Sequence, residues 1–162
     1  IDIWPQLMDH AMSLMDLGHI PVGDGWLAAR GIASLIPNIA YDNGYLLREL
    51  DSTPIVWIDF DRIAPHIARW VPFAAGHRES VDQLIALLRL TSMERQVSDG
   101  LPWIEDLVSA DPTAVAGRSY LLPEWLAETR SAARGTPQGP NWQRIVDLLV
   151  VAGEERIAAL TD

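Results

Sequence analysis

The stretch IVWIDFDRIAPHIARW, residues 55–70, holds the side chains best suited to chemistry. Asp59 and Asp61 stand two apart, and His66 follows five residues after the second. In an extended chain, Ile55, Trp57, Asp59 and Asp61 share one face and the apolar Val56, Ile58 and Phe60 the other. Two carboxylates side by side on a strand suit Mg²⁺ or Mn²⁺, and hence metal-dependent hydrolysis or phosphotransfer. A helix opened by Asp61 changes the picture. Ile63, Ile67, Trp70 and Val71 then form its buried face, with Arg62, His66 and Arg69 opposite. The two guanidinium charges disfavour a cation beside His66 and favour an anion or an acidic partner group. Pro65 falls early in that helix, where it distorts the first turn. The most economical assignment is a strand-to-helix junction with Asp61 as its cap.

Other candidates carry weaker chemistry. Met8, Met12 and Met15 form a stripe at helical spacing, which serves either as core or as a pliable partner-binding surface. VGDGW (22–26) holds the first two glycines of a phosphate-binding loop, but Ala28 stands where the third belongs. His10, His19, His66 and His77 lack the spacing of a metal motif, and no G-x-S-x-G nucleophile elbow occurs. Glu105, Asp106, Glu124, Glu128, Glu154 and Glu155 are expected on solvated helix faces. Seven tryptophans are many for 162 residues. Trp26, Trp57, Trp70, Trp103, Trp125 and Trp142 are expected mostly in the core, with one or two at an exposed groove.

The elements that position these residues read as helices. DIWPQLMDHAMSLMDLG (2–18) and residues 24–36 both show a helical apolar face. Asn43-Gly44 is a hairpin signal, and TPIVWIDF (53–60) is the best strand in the chain. Ser80-x-x-Gln83 has the form of a capping box for VDQLIALLRL. Thr91 or Ser92 starts a short helix that ends near Gly100. Leu101-Pro102-Trp103, Leu122-Pro123-Glu124-Trp125 and Gly139-Pro140-Asn141-Trp142 each place proline at a helix start, where its missing N–H costs nothing. Their spacings, 21 and then 17 residues, do not make a repeat period. ARGTPQGPN (133–141) is a loop between helices, and Gly153 is a break point in the last helix. The fold class is therefore mainly α: a single compact multi-helix domain over 1–162, about seven to nine helices, with at most a small β element near residues 39–60.

Composition narrows the function. Cysteine is absent and every one of the 12 basic residues is arginine, which removes disulfides, thiolate chemistry and Schiff-base lysines. A formal charge of −10 repels nucleic acid and anionic lipid. No apolar run reaches the length of a membrane span, and no cofactor is implied. The expectation is a non-catalytic helical protein–protein interaction or regulatory module, cytoplasmic in keeping with its lack of cysteine and bacterial by its arginine-, alanine- and tryptophan-rich usage. It is expected to be a piece of a longer multidomain protein, with a protein partner or an adjacent domain as its ligand. Two alternatives stand beside it: a small metal-dependent hydrolase or phosphotransfer enzyme using Asp59 and Asp61, and an acidic immunity-type protein that caps a basic toxin.

Overall fold

A computed structural model describes residues 60–76, 78–89 and 91–161, with His10 and Ser13 as isolated helical positions. Among the described residues the chain is helical and contains no strand. The helices are α1 (Phe60–Ala74), α2 (Arg78–Leu88), α3 (Met93–Arg95), α4 (Leu101–Ala110), α5 (Pro112–Val115), α6 (Leu122–Ala133) and α7 (Gly139–Val151). A π-helical turn (Gln96–Gly100) joins α3 to α4, and a 3₁₀ turn (Ala158–Leu160) follows α7.

The apolar spacing of each helix explains its place. In α4, Leu101, Ile104, Leu107 and Val108 are buried, and this helix packs against α1, α2, α5 and α7. In α7, Trp142, Ile145, Val146 and Leu149 repeat at one-turn spacing and are buried against α4. In α2, Val81, Leu84, Ile85, Leu87 and Leu88 enter the same core. Each such side chain contributes roughly 1.5–3 kcal/mol by leaving water. Glu105 of α4 then ties α7 in place: it accepts from Asn141 Nδ2 at 2.5 Å and pairs with Arg144 Nε at 3.1 Å.

The three proline-led segments do start helices, with Pro102, Pro123 and Pro140 in the first turn. The first of them is not a fresh start, however. The short helix expected to end near Gly100 continues into α4, with Gly100 at φ −71, ψ −42 and Leu101 at φ −61, ψ −45. Pro102 cannot donate a backbone hydrogen bond, and its ring presses on the turn before it. The wide π turn directly ahead of it accommodates both demands.

Two local expectations are corrected. Phe60, the last residue of the expected strand, is the first residue of α1, so Asp61 lies within the first turn rather than ahead of it as a cap. The capping box does not form. Helix α2 begins at Arg78, Ser80 is already inside it and buried, and neither Ser80 Oγ nor Gln83 Oε1 has a hydrogen-bond partner among the described residues. The helix at 93 is opened by Ser92, one of its two expected starts, whose Oγ accepts from Arg95 N at 3.3 Å. Pro65 and Pro72 both stay inside α1 and are both exposed. They are seven residues apart, so both rings lie on the same, solvent-facing side of the helix. Residues 1–9, 14–59 and the hairpin signal at 43–44 lie outside the described residues, as do the first two expected helices apart from His10 and Ser13.

Candidate functional site

The residues singled out for chemistry are only partly within view. Met8, Met12, Met15 and Asp59 lie outside the described residues, as does VGDGW. Asp61, Arg62 and His66 belong to α1, but their side chains lie outside the description. Arg69 is exposed on α1, while Ile67 and Val71 are buried on the other side, in accord with the expected facing. The pairing of Asp59 with Asp61, and any ligand they share, thus lies outside the described residues.

The functional geometry of the described residues lies elsewhere, at the loop 116–121 between α5 and α6. Two acidic residues from distant parts of the chain hold this loop. Asp82 of α2 accepts from Ser119 Oγ at 2.5 Å, from Tyr120 N at 2.9 and 3.1 Å, and from Leu121 N at 3.0 Å. Ser119 Oγ in turn accepts from Leu122 N at 3.3 Å. The N-cap of α6, Leu121, has no side-chain cap of its own; Asp82 takes the N–H groups of Tyr120 and Leu121 just ahead of the helix, and Ser119 Oγ takes that of Leu122.

Glu154 holds the other side of the loop. It was expected on a solvated face, but its side chain is 2% exposed. Helix α7 stops at Val151, and Gly153 turns the chain with φ +92, which carries Glu154 inward. Its carboxylate accepts from Gly117 N at 2.6 Å and from Arg156 N at 3.1 Å. Arg156 adds a two-pronged contact, Nε and Nη2 each at 2.7 Å. The Arg156 guanidinium holds the Glu154 carboxyl down at about 2; burial opposes the shift, and the two backbone N–H groups assist it. The remaining acidic residues of that set divide. Asp106, Glu124, Glu128 and Glu155 are exposed as expected, and Glu105 is the half-buried tie between α4 and α7.

The loop held this firmly displays an aromatic ring. Tyr120 is 85% exposed although its backbone N–H is clasped by both oxygens of Asp82. Val151 (89% exposed) and Val150 (45%) end α7 just before the turn that delivers Glu154 to Gly117, so they belong to the same end of the bundle. The described tryptophans serve the core. Trp125 is fully buried with its N–H on Gln96 Oε1 at 2.9 Å, and Trp142 donates to Leu126 O at 2.9 Å. Gln96 also donates to Thr91 O at 3.1 Å, so the π turn contributes the partner that a buried indole needs. Trp103 is partly buried against the same core.

Sequence reasoning missed Asp82, Ser119, Tyr120 and the inward role of Glu154. The one local signal was Gly153, which marks a break that can aim Glu154 away from the helix surface. No described helix is long and apolar enough to cross a membrane. No protein-family model, no curated protein and no solved structure matches the chain.

Proposed function

We propose that this chain is a non-catalytic helical module that binds a protein partner or an adjacent domain. The observation that carries the proposal is Tyr120: a large side chain left in solvent on a backbone already ordered by the Asp82 carboxylate, which accepts from the Tyr120 and Leu121 N–H groups and from Ser119 Oγ. An aromatic presented on a fixed backbone loses little freedom on binding, which is what makes tyrosine a frequent interface anchor. Val150 and Val151 supply apolar neighbours at the same end. The polar groups around the loop support the same reading, because Asp82, Ser119 and Glu154 are engaged in holding it.

The test is a comparison of two baits at native expression levels, the unmodified chain and Tyr120→Ala. A partner retained by the first and lost at least ~10-fold by the second supports the module, since anchor residues cost roughly 2 kcal/mol or more on truncation. Because Tyr120 is so exposed, the substitution leaves the melting temperature unchanged. Equal retention by both baits removes Tyr120 as the anchor, and turnover of a substrate by the isolated chain removes the proposal.

A further inference from the structure

The geometry points to a second binding site, a groove for a small primary amine with an apolar body. It lies at the opposite end of α6 from Tyr120, between the π turn and the loop that leads into α7, and has a volume of about 440 Å³. That is within the ~300–1,000 Å³ range of small-molecule sites. α3 and the π turn contribute Met93 and Val97, and the end of α6 with its loop contributes Ala132 and Pro137.

Shape is the first argument. Val97 is buried, while Met93, Ala132 and Pro137 are exposed, so the groove offers apolar surface from its floor to its mouth. Both of its sides are fixed. Gln96 of the π turn is bonded to Thr91 O and to the Trp125 N–H. On the loop, Thr136 N and Oγ1 both donate to Ala133 O, at 3.1 and 2.7 Å, and Gly139 N donates to Thr136 O at 3.0 Å. A ligand entering a shaped groove has little ordering of the protein to offset. The Met93 thioether adapts to the outline of an apolar body. Isolated π turns recur at functional sites, where they re-aim side chains.

The polar lining is the second argument. Glu94, Ser98 and Gln138 line the groove, and their side chains make no hydrogen bond or ion pair among the described residues. The Thr136 hydroxyl is different, since it donates to Ala133 O and accepts from Gln138 N at 3.3 Å. Arg95, next to Glu94, has its Nε on Asp99 Oδ2 at 2.8 Å. The described residues lining the groove include no base. An alkylammonium has three donors and no acceptor, and the Glu94 carboxylate, the Ser98 hydroxyl and the Gln138 carbonyl are three acceptors. The bond to Glu94 is charge-assisted and the strongest of the three. A ligand with a carboxylate or phosphate head meets Glu94 as a like charge and is disfavoured.

The site is separate from the Tyr120 surface, and its test is separate too. Hexylammonium chloride, hexanol and sodium hexanoate share one apolar chain and differ in the head group. Each is titrated at pH 7 and equal ionic strength, following the Met93 methyl and Ser98 N–H resonances. Hexylammonium is expected to shift both resonances saturably and to bind about tenfold more tightly than hexanol or hexanoate. Glu94→Gln removes an exposed charge, leaves the melting temperature unchanged and is expected to bring hexylammonium down to the affinity of hexanol. Ala132→Trp, at an exposed position, fills the groove and is expected to abolish the shifts. Tyr120→Ala leaves them as they are. Resonances that no probe moves, or binding undiminished in Ala132→Trp, overturn the site. Hexanol binding as tightly as hexylammonium, or an undiminished affinity in Glu94→Gln, overturns its assignment to an amine.

Discussion

Glu154 shows how far one side chain can depart from its local pattern. In the sequence it is one of two adjacent glutamates after a helical run, the usual sign of a solvated end. In the fold it is buried, paired with Arg156 and bonded to Gly117 N. Its partner lies 37 residues away, so no local window contains the reason for its burial. The pairing has a pH signature. The folded carboxyl is held at about 2, against 4.5 for the free group. Its stabilisation is therefore fully present above pH 4.5 and is lost as the pH falls through about 2. The magnitude is at most about 3 kcal/mol, reduced by solvent screening of the half-exposed Arg156. Urea unfolding of the unmodified chain and of Glu154→Gln at stepped pH measures it. The variant is expected to be less stable at pH 7, with the gap between the two closing from pH 4.5 towards pH 2. A gap that stays constant over that range contradicts the assignment.

At the scale of elements, what was legible was what is local. Proline followed by tryptophan marked the starts of α4, α6 and α7, because helix-start chemistry depends on neighbours in the chain. The burial of Ile67 and Val71 on α1 followed from spacing alone. The capping box at Ser80 failed because a helix can begin one turn earlier than its best cap, and burial then overrides the cap residue. The continuation through Gly100 was hidden, since glycine before proline ordinarily marks an end. Gly100 is there for a tertiary reason. A Cβ at this position would lie 2.8 Å from Leu88 Cδ1 and 3.4 Å from the Trp125 ring. Leu88 and Trp125 are fully buried and cannot simply swing away. Overpacking costs about 1–3 kcal/mol, and alanine regains about 1 kcal/mol in helix propensity. Gly100→Ala is thus expected to lower stability by about 1 kcal/mol, measured by chemical denaturation, and to disturb the Trp125 indole resonance. A stabilised variant would show that the π turn yields more readily than its packing indicates.

For the whole molecule, the helical class was legible because nearly half the residues are apolar and their spacing is helical over most of the chain. The candidate interface was not legible, because exposure of Tyr120 is decided by Asp82, a residue 38 positions earlier. The formal charge of −10 does bear on the partner. Exposed Asp147 and Glu155, with Glu124 and Glu128 sharing the single Arg89, give the described surface an acidic character that attracts a basic protein more than an acidic one. Association with such a partner is expected to slow severalfold as salt rises from 50 to 500 mM, while dissociation changes less. Stopped-flow measurement at several salt concentrations separates the two rates. An association rate that does not respond to salt assigns recognition to the apolar end of the bundle alone.

The loop 116–121 is stitched at two points, and the spans are equal. Ser119 reaches back 37 residues to Asp82, and Gly117 reaches forward 37 residues to Glu154. During synthesis the backward stitch closes on chain that already exists, whereas the forward stitch waits for the 37 residues that follow Gly117. The end of the molecule that carries Tyr120 is thus finished only after Glu154 has been made. A nascent chain stopped short of Glu154 has the Asp82 clasp but lacks the second one, so this surface needs chain from both sides of it.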